Sequence, residues 1–180
     1  MITDPNGKWR VICPPKTGAT TLHHLLSQPP IHGVVSTGAN GREDFHASEP
    51  LYGGVVYVSV RNPLERAVSL WRHRRHELGD GEPVDDDSYP FRAFVSELPE
   101  LTPFYNRTML DYFRNIRVSR EVIRMENFEA DVRRLFPGVG EIPRLNASVR
   151  AKLSRDPYRD PGVERAVRGW FAEDFRWGYI

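Results

Sequence analysis

Alternation begins early in the chain, where Trp9, Val11 and Cys13 are set against Lys8, Arg10 and Ile12. This period of two predicts a strand over residues 8–13. Pro14-Pro15 ends it, because proline cannot donate to a ladder. The period then lengthens. After Lys16-Thr17-Gly18 a helix is expected to start near residues 19–21, with Leu22, Leu25 and Leu26 on one face and Pro29-Pro30 as its stop. Ile31, Val34 and Val35 suggest a short strand, and Gly38-Ala39-Asn40-Gly41 is a turn signal.

Residues 54–60 (GVVYVSV) form the strongest strand candidate, apolar at nearly every position, as in a central strand covered on both faces. Asn62-Pro63 closes it, and proline suits the first turn of a helix. Leu64, Ala67, Val68 and Trp71 then recur at i, i+3, i+4 and i+7, so a helix is predicted to run to Leu78, before Gly79 and Gly81. Residues 79–88 read as a solvated loop whose Asp85-Asp86-Asp87 run is a surface feature. A short helix is expected over 91–98, while 108–113 fits neither period clearly. Residues 121–125 read as a third buried strand. Asn127 can cap a helix carrying Phe128, Val132, Leu135 and Phe136, ended by Pro137-Gly138. A last helix from about Gly162 repeats Val163, Ala166/Val167, Trp170/Phe171 and Phe175. Strands alternating with helices predict an α/β fold with a central, mostly parallel sheet flanked by helices.

Composition narrows the class. At 180 residues, 39% hydrophobic and 27% charged, the chain is expected to form one globular domain over residues 1–180. No apolar run approaches the roughly 18 residues of a membrane span, and the first residues lack the basic-then-apolar order of a signal peptide. A soluble, cytoplasmic protein is the expectation. The single cysteine, Cys13, excludes an internal disulfide framework and a multi-cysteine zinc site, and is most simply a core residue. A net charge of +1 gives no global field toward nucleic acid or membrane. Local charge says more: residues 61–76 hold Arg61, Arg66, Arg72, Arg74 and Arg75 against Glu65 alone.

Pro14-Pro15-Lys16-Thr17-Gly18-Ala19-Thr20-Thr21 falls between a strand and a helix. A loop in that position aims backbone N–H groups and the positive end of the helix dipole at one point. Thr17, Thr20 and Thr21 add hydroxyls, Gly18 permits close approach, and Lys16 adds a full charge: the composition of a cradle for a phosphate-like anion. The ATP-binding pattern G-x-x-x-x-G-K-[ST] is absent, since the lysine here precedes the glycine. Arg61 ends the long apolar strand, where a magnesium-holding acid would be expected in an ATPase. Taken alone, the loop is equally well a plain strand–turn–helix connection.

Val60-Arg61-Asn62-Pro63, with Ser69 eight residues after the arginine, supplies a second anion-binding candidate. With these two motifs the chain resembles the sulfotransferases that use 3′-phosphoadenosine 5′-phosphosulfate (PAPS). The resemblance continues through Arg124-Met125-Glu126-Asn127-Phe128, Pro143-Arg144-Leu145-Asn146-Ala147-Ser148 and Asp174-Phe175-Arg176-Trp177-Gly178-Tyr179, the last two favouring the carbohydrate-type branch, here without a membrane anchor. It implies a P-loop-like domain in which residues 15–22 hold the 5′-phosphosulfate and Arg61 and Ser69 the 3′-phosphate. Arg144, Asn146 and Ser148 would close over the nucleotide. PAPS carries about four negative charges if its 3′-phosphate ionises like other phosphomonoesters. Ala19 departs from the family's usual Thr or Ser, which implies cofactor binding weaker by ~1 kcal/mol.

The same resemblance implies in-line sulfuryl transfer to a hydroxyl acceptor, possibly a carbohydrate, with Lys16 on the leaving phosphate oxygen, helped by Thr20 and Thr21, and no metal. His46 is the first choice for the general base, since imidazole titrates near pH ~6.5. Glu43 and Asp44 are alternatives, and His46 reads equally as a surface-loop histidine. His23 and His24 are expected to cover the outer face of their helix or touch the acceptor, and His73-Arg74-Arg75-His76 to form a solvated basic face. Tyr105, Asn106 and Arg107 are candidate acceptor contacts, with loop packing as the competing explanation. Two other functions fit parts of the pattern: a P-loop ATP-dependent kinase, and a nucleotide- or glycan-binding module without turnover.

Overall fold

A computed structural model describes residues 1–35, 54–80, 82–143 and 156–176. In chain order its elements are β1 (Ile2–Thr3), β2 (Trp9–Ile12), α1 (Ala19–Ser27), β3 (Val34–Val35), β4 (Val55–Val60), α2 (Pro63–Leu78), α3 (Phe91–Glu97), α4 (Pro103–Asn106), α5 (Met109–Phe113), β5 (Arg120–Arg124), α6 (Phe128–Leu135), α7 (Pro161–Trp170) and α8 (Ala172–Arg176). The chain divides into two compact units, Met1–Arg61 with Met109–Ala147, and Asn62–Thr108 with Ser148–Ile180.

The first unit is α/β. Its sheet has the strand order β3-β1-β2-β4-β5, and its three longest strands, β2, β4 and β5, are parallel. Ile12 stands opposite Val58, and Val60 opposite Arg124. The short β1 runs antiparallel to β2 and β3, which makes the sheet mixed. At two residues β1 is too short to show a period, and its pairing comes from the turn that follows. The Asp4 carboxylate accepts the N–H groups of Asn6 at 2.9 Å and Lys8 at 3.0 Å, folding the chain back. Side chains alternate across the parallel strands. Val11, Cys13 and Ile123 bury against Leu22, Leu25 and Leu26 of α1 and Val132 of α6. Phe136 joins them, edge-on to Trp9 at 5.3 Å and to Tyr57 at 4.9 Å between centroids. Val56, Val58 and Val60 are buried on the opposite face from Tyr57 and the buried Ser59. From Val56 onward β4 is thus covered on both faces as expected, while Val55 at its start is exposed.

The second unit is helical and has its own core: Ala67, Leu70 and Trp71 of α2, Phe91 and Phe94 of α3, Tyr105 of α4, and Val163 and Val167 of α7. Helix α2 has the predicted limits, with Pro63 and Gly79 at its ends as expected and, beyond the expectation, a cap from Asn62. The Asn62 side chain accepts Leu64 N–H at 3.0 Å, Pro63 opens the first turn, and the Gly79 N–H closes the last on the Arg75 carbonyl. The expected last helix divides at Phe171 into α7 and α8. At the start of α7 the Asp160 carboxylate accepts Gly162 N–H at 2.8 Å.

Three expectations change. The third strand, expected to be buried, is the end strand β5, in which Ile123 is buried while Glu121 and Arg124 are exposed. Asn127 precedes α6, but its side chain makes no cap; it donates to Asp131, whose other oxygen accepts Arg124 N–H at 2.8 Å. The basic face expected at His73-Arg74-Arg75-His76 is only partly solvated: His76 is exposed, but His73, Arg74 and Arg75 are half-buried. Arg66 is fully buried, with Nη1 donating to the Arg107 carbonyl at 3.0 Å and lying 3.9 Å from the Asp174 carboxylate. Arg74 pairs with Glu77, and Arg75 lies over Trp71 while binding the Val84 carbonyl and Asp86. Of the acids that neutralise this run, Glu77 follows it on α2 itself, while Asp86 lies on a loop and Asp174 on a later helix. No helix among the described residues is long and apolar enough to cross a membrane.

Candidate anion-binding site

The ends of β2 and β4 are neighbours in the sheet, so the segments leaving them, Pro14 to Gly18 and Arg61, emerge side by side in the first unit. Between β2 and α1 the chain turns through two left-handed residues, Lys16 at φ 67° and Gly18 at φ 88°. For Lys16 this conformation is uphill by roughly 1–2 kcal/mol. Gly18 has a further constraint: a Cβ there would lie 2.5 Å from Met125 Sδ. The open space above Gly18 is thus taken by a side chain of the segment after β5.

Lys16 and Arg61 meet across the loop. Arg61 Nη1 donates to the Lys16 carbonyl at 3.5 Å, and the Arg61 N–H points at Met109 Sδ at 3.4 Å. Burial, and then the charge of Arg61, hold the Lys16 ammonium below the usual lysine range. Among the described residues Lys16 forms no ion pair. Two cations brought together at the end of a sheet, each raising the cost of the other's charge, make a place where an anion is stabilised.

Helix α1 adds to this. Its N-cap is Gly18, no side chain caps it, and its first turn holds no acid. The N–H groups of Ala19 and Thr20 that open it can therefore bind an anion, and the helix dipole adds positive potential. Ala19 contributes no hydroxyl but retains its N–H. Thr20 is exposed at this end, whereas Thr21 is largely buried.

Thr17 differs from its neighbours, since it and Ser59 of β4 are both fully buried. Thr17 Oγ1 donates to the Pro14 carbonyl at 2.6 Å and lies 2.6 Å from Ser59 Oγ. A hydroxyl has one proton. As that of Thr17 goes to Pro14, Ser59 is the donor in the second bond. Sequence reasoning passed over Ser59, although a signal was there: one hydroxyl within an otherwise apolar strand, which burial obliges to find a partner.

The other candidates divide three ways. Ser69 is half-buried on α2 in the second unit. His46, Glu43, Asp44, Arg144, Asn146 and Ser148 lie outside the described residues. Of the rest, His24 and Arg107 are exposed, whereas His23 is buried on α1 and Tyr105 is buried with its hydroxyl on Glu77. Burial and then that bond push the Tyr105 phenol up, away from any proton-transfer role near neutrality. The Asn106 amide donates to the Leu101 carbonyl at 2.7 Å, and its own carbonyl accepts Trp170 Nε1–H at 2.9 Å. Packing, not acceptor binding, accounts for Tyr105 and Asn106. Among the described residues no group of three His, Cys, Asp or Glu is placed to hold a metal.

Comparison with models of known protein families, with curated proteins and with solved structures yields no match to the chain.

Proposed function

We propose that this chain is a PAPS-dependent sulfotransferase built on a P-loop-like α/β unit, moving a sulfuryl group to a hydroxyl acceptor such as that of a carbohydrate. The observation that carries the reading is the approach of Arg61 to the Lys16 backbone at 3.5 Å, which joins two motifs 45 residues apart into one positive site. The residues present fit a nucleotide with phosphate groups at two positions: a lysine with an uncapped helix N-terminus, and an arginine beside it.

PAPS would supply the activated sulfuryl group, which passes to the acceptor oxygen as the bond to the 5′-phosphate breaks. The chain's part is positioning and charge stabilisation. Lys16 holds its ammonium at the leaving phosphate oxygen, where negative charge grows. The N–H groups opening α1 and the exposed hydroxyl of Thr20 hold the same phosphate. Arg61 takes the 3′-phosphate, the group to which the family resemblance also assigns Ser69. His46, with Glu43 and Asp44 as alternatives, accepts the acceptor proton. Arg144, Asn146 and Ser148 belong to the same proposal as nucleotide contacts.

Thermal unfolding tests the reading first. The product nucleotide 3′-phosphoadenosine 5′-phosphate (PAP) should raise the melting temperature without added metal, and Mg-ATP should raise it less. The reverse order would instead favour an ATP-dependent kinase. Incubation with labelled PAPS and a panel of glycans, phenols and small alcohols should then label an acceptor. Binding without transfer, and without slow PAPS hydrolysis, would leave a nucleotide-binding module in place of an enzyme.

A further inference from the structure

The buried hydroxyl pair beneath the loop has no direct part in this chemistry, and its geometry shows what it does. Thr17 lies between two left-handed residues, and only an external tie keeps such a turn from relaxing. Its hydroxyl is fully committed, giving its proton to the Pro14 carbonyl and receiving that of Ser59, with both side chains out of reach of solvent. Ser59 and Arg61 are two residues apart, and they hold the loop at two points, the Thr17 hydroxyl and the Lys16 carbonyl. A rigid strand thus sets the conformation of the loop that carries the lysine.

We propose that Ser59 and Thr17 are positioning residues: the chain of hydroxyls from Ser59 through Thr17 to the Pro14 carbonyl sets the loop that aims Lys16 and the first N–H groups of α1 at the anion, and the Thr17 side chain does not touch the ligand. The proposal rests on the anion-binding reading of the site. It assigns Thr17 a different task from Thr20, its exposed neighbour at the helix start.

The test uses Ser59→Ala, Thr17→Val and Thr17→Ser in the full chain. Only three lysines are present, Lys8, Lys16 and Lys152, so carbon-13 labelling of lysine side chains resolves the Lys16 titration directly. In Ser59→Ala and Thr17→Val the Lys16 titration should move up toward the ordinary lysine value, as the loop carries Lys16 away from Arg61. Affinity for PAP should fall by about fivefold in both, while Thr17→Ser stays within about twofold of the parent. An unchanged Lys16 titration in Ser59→Ala overturns the proposal. So does weaker binding in Thr17→Val alone, since the threonine would then be touching the anion. Should Thr17→Val fail to fold, the milder Ser59→Ala decides. If the parent does not bind PAP, the functional reading falls, and the Lys16 titration still decides this one.

Discussion

Lys16 combines three properties that are each uphill alone: a left-handed backbone, a partly buried ammonium and a neighbouring guanidinium. Their joint consequence is a linkage between anion binding and protons. Without ligand, the lowered pKa means the folded protein carries the charge at a penalty, fully present below that pKa and fading as the pH rises toward the unfolded value. A bound phosphate opposes the Arg61 repulsion and raises the pKa again. Binding should therefore take up a proton between the lowered pKa of the free protein and the raised pKa of the complex, and affinity should fall as the pH rises through that range. Calorimetry of PAP binding in buffers of different ionisation enthalpy measures this uptake. It should be present in the parent and lost in Lys16→Arg; a parent with no uptake would place the anion away from Lys16.

Most elements could be read from the sequence, because their ends are set by local chemistry. Pro63 opens α2, Gly79 closes it, and the long apolar run gives β4. Signals that depend on distant partners could not be read. Arg66 looked like one more cation on a basic stretch, yet it is among the largest fully buried side chains, facing Asp174 and lying 5.4 Å from the centre of the Phe171 ring. The loop motif was legible as an anion cradle, but not that Met125 fills the space over Gly18 or that Ser59 ties Thr17. The first contact comes from the segment after β5 and the second from β4. The buried pair between α2 and α8 carries a stability prediction. Asp174→Asn leaves the Arg66 cation without its counter-charge and should cost about 3–5 kcal/mol, whereas Arg66→Met with Asp174→Leu should come close to the parent. Urea unfolding of the three proteins measures it, and equal losses in single and double variants would contradict the pairing.

At the scale of the whole molecule, the two units interleave in sequence. The chain leaves the first after Arg61, returns at Met109, and leaves again after Ala147. Neither core is contained in a continuous segment: Ile2, Val11 and Leu22 need Ile123, Val132 and Phe136, and Trp71 needs Val163 and Val167. A fragment of residues 1–61 should therefore lack a cooperative melting transition by circular dichroism, despite holding both cations of the proposed site. A sharp transition in that fragment would show that β5 and α6 are dispensable to the first core.

The aromatic packing has a spectroscopic consequence. Trp9 lies against Phe136 in one core, and Trp71 in the other, its Nε1–H on the Tyr89 carbonyl at 2.9 Å and the Arg75 guanidinium 4.9 Å from its ring. Indole emission responds to such surroundings. Replacing the other tryptophans by phenylalanine would leave one fluorophore per core, so each half of the protein would carry a native reporter of its own unfolding.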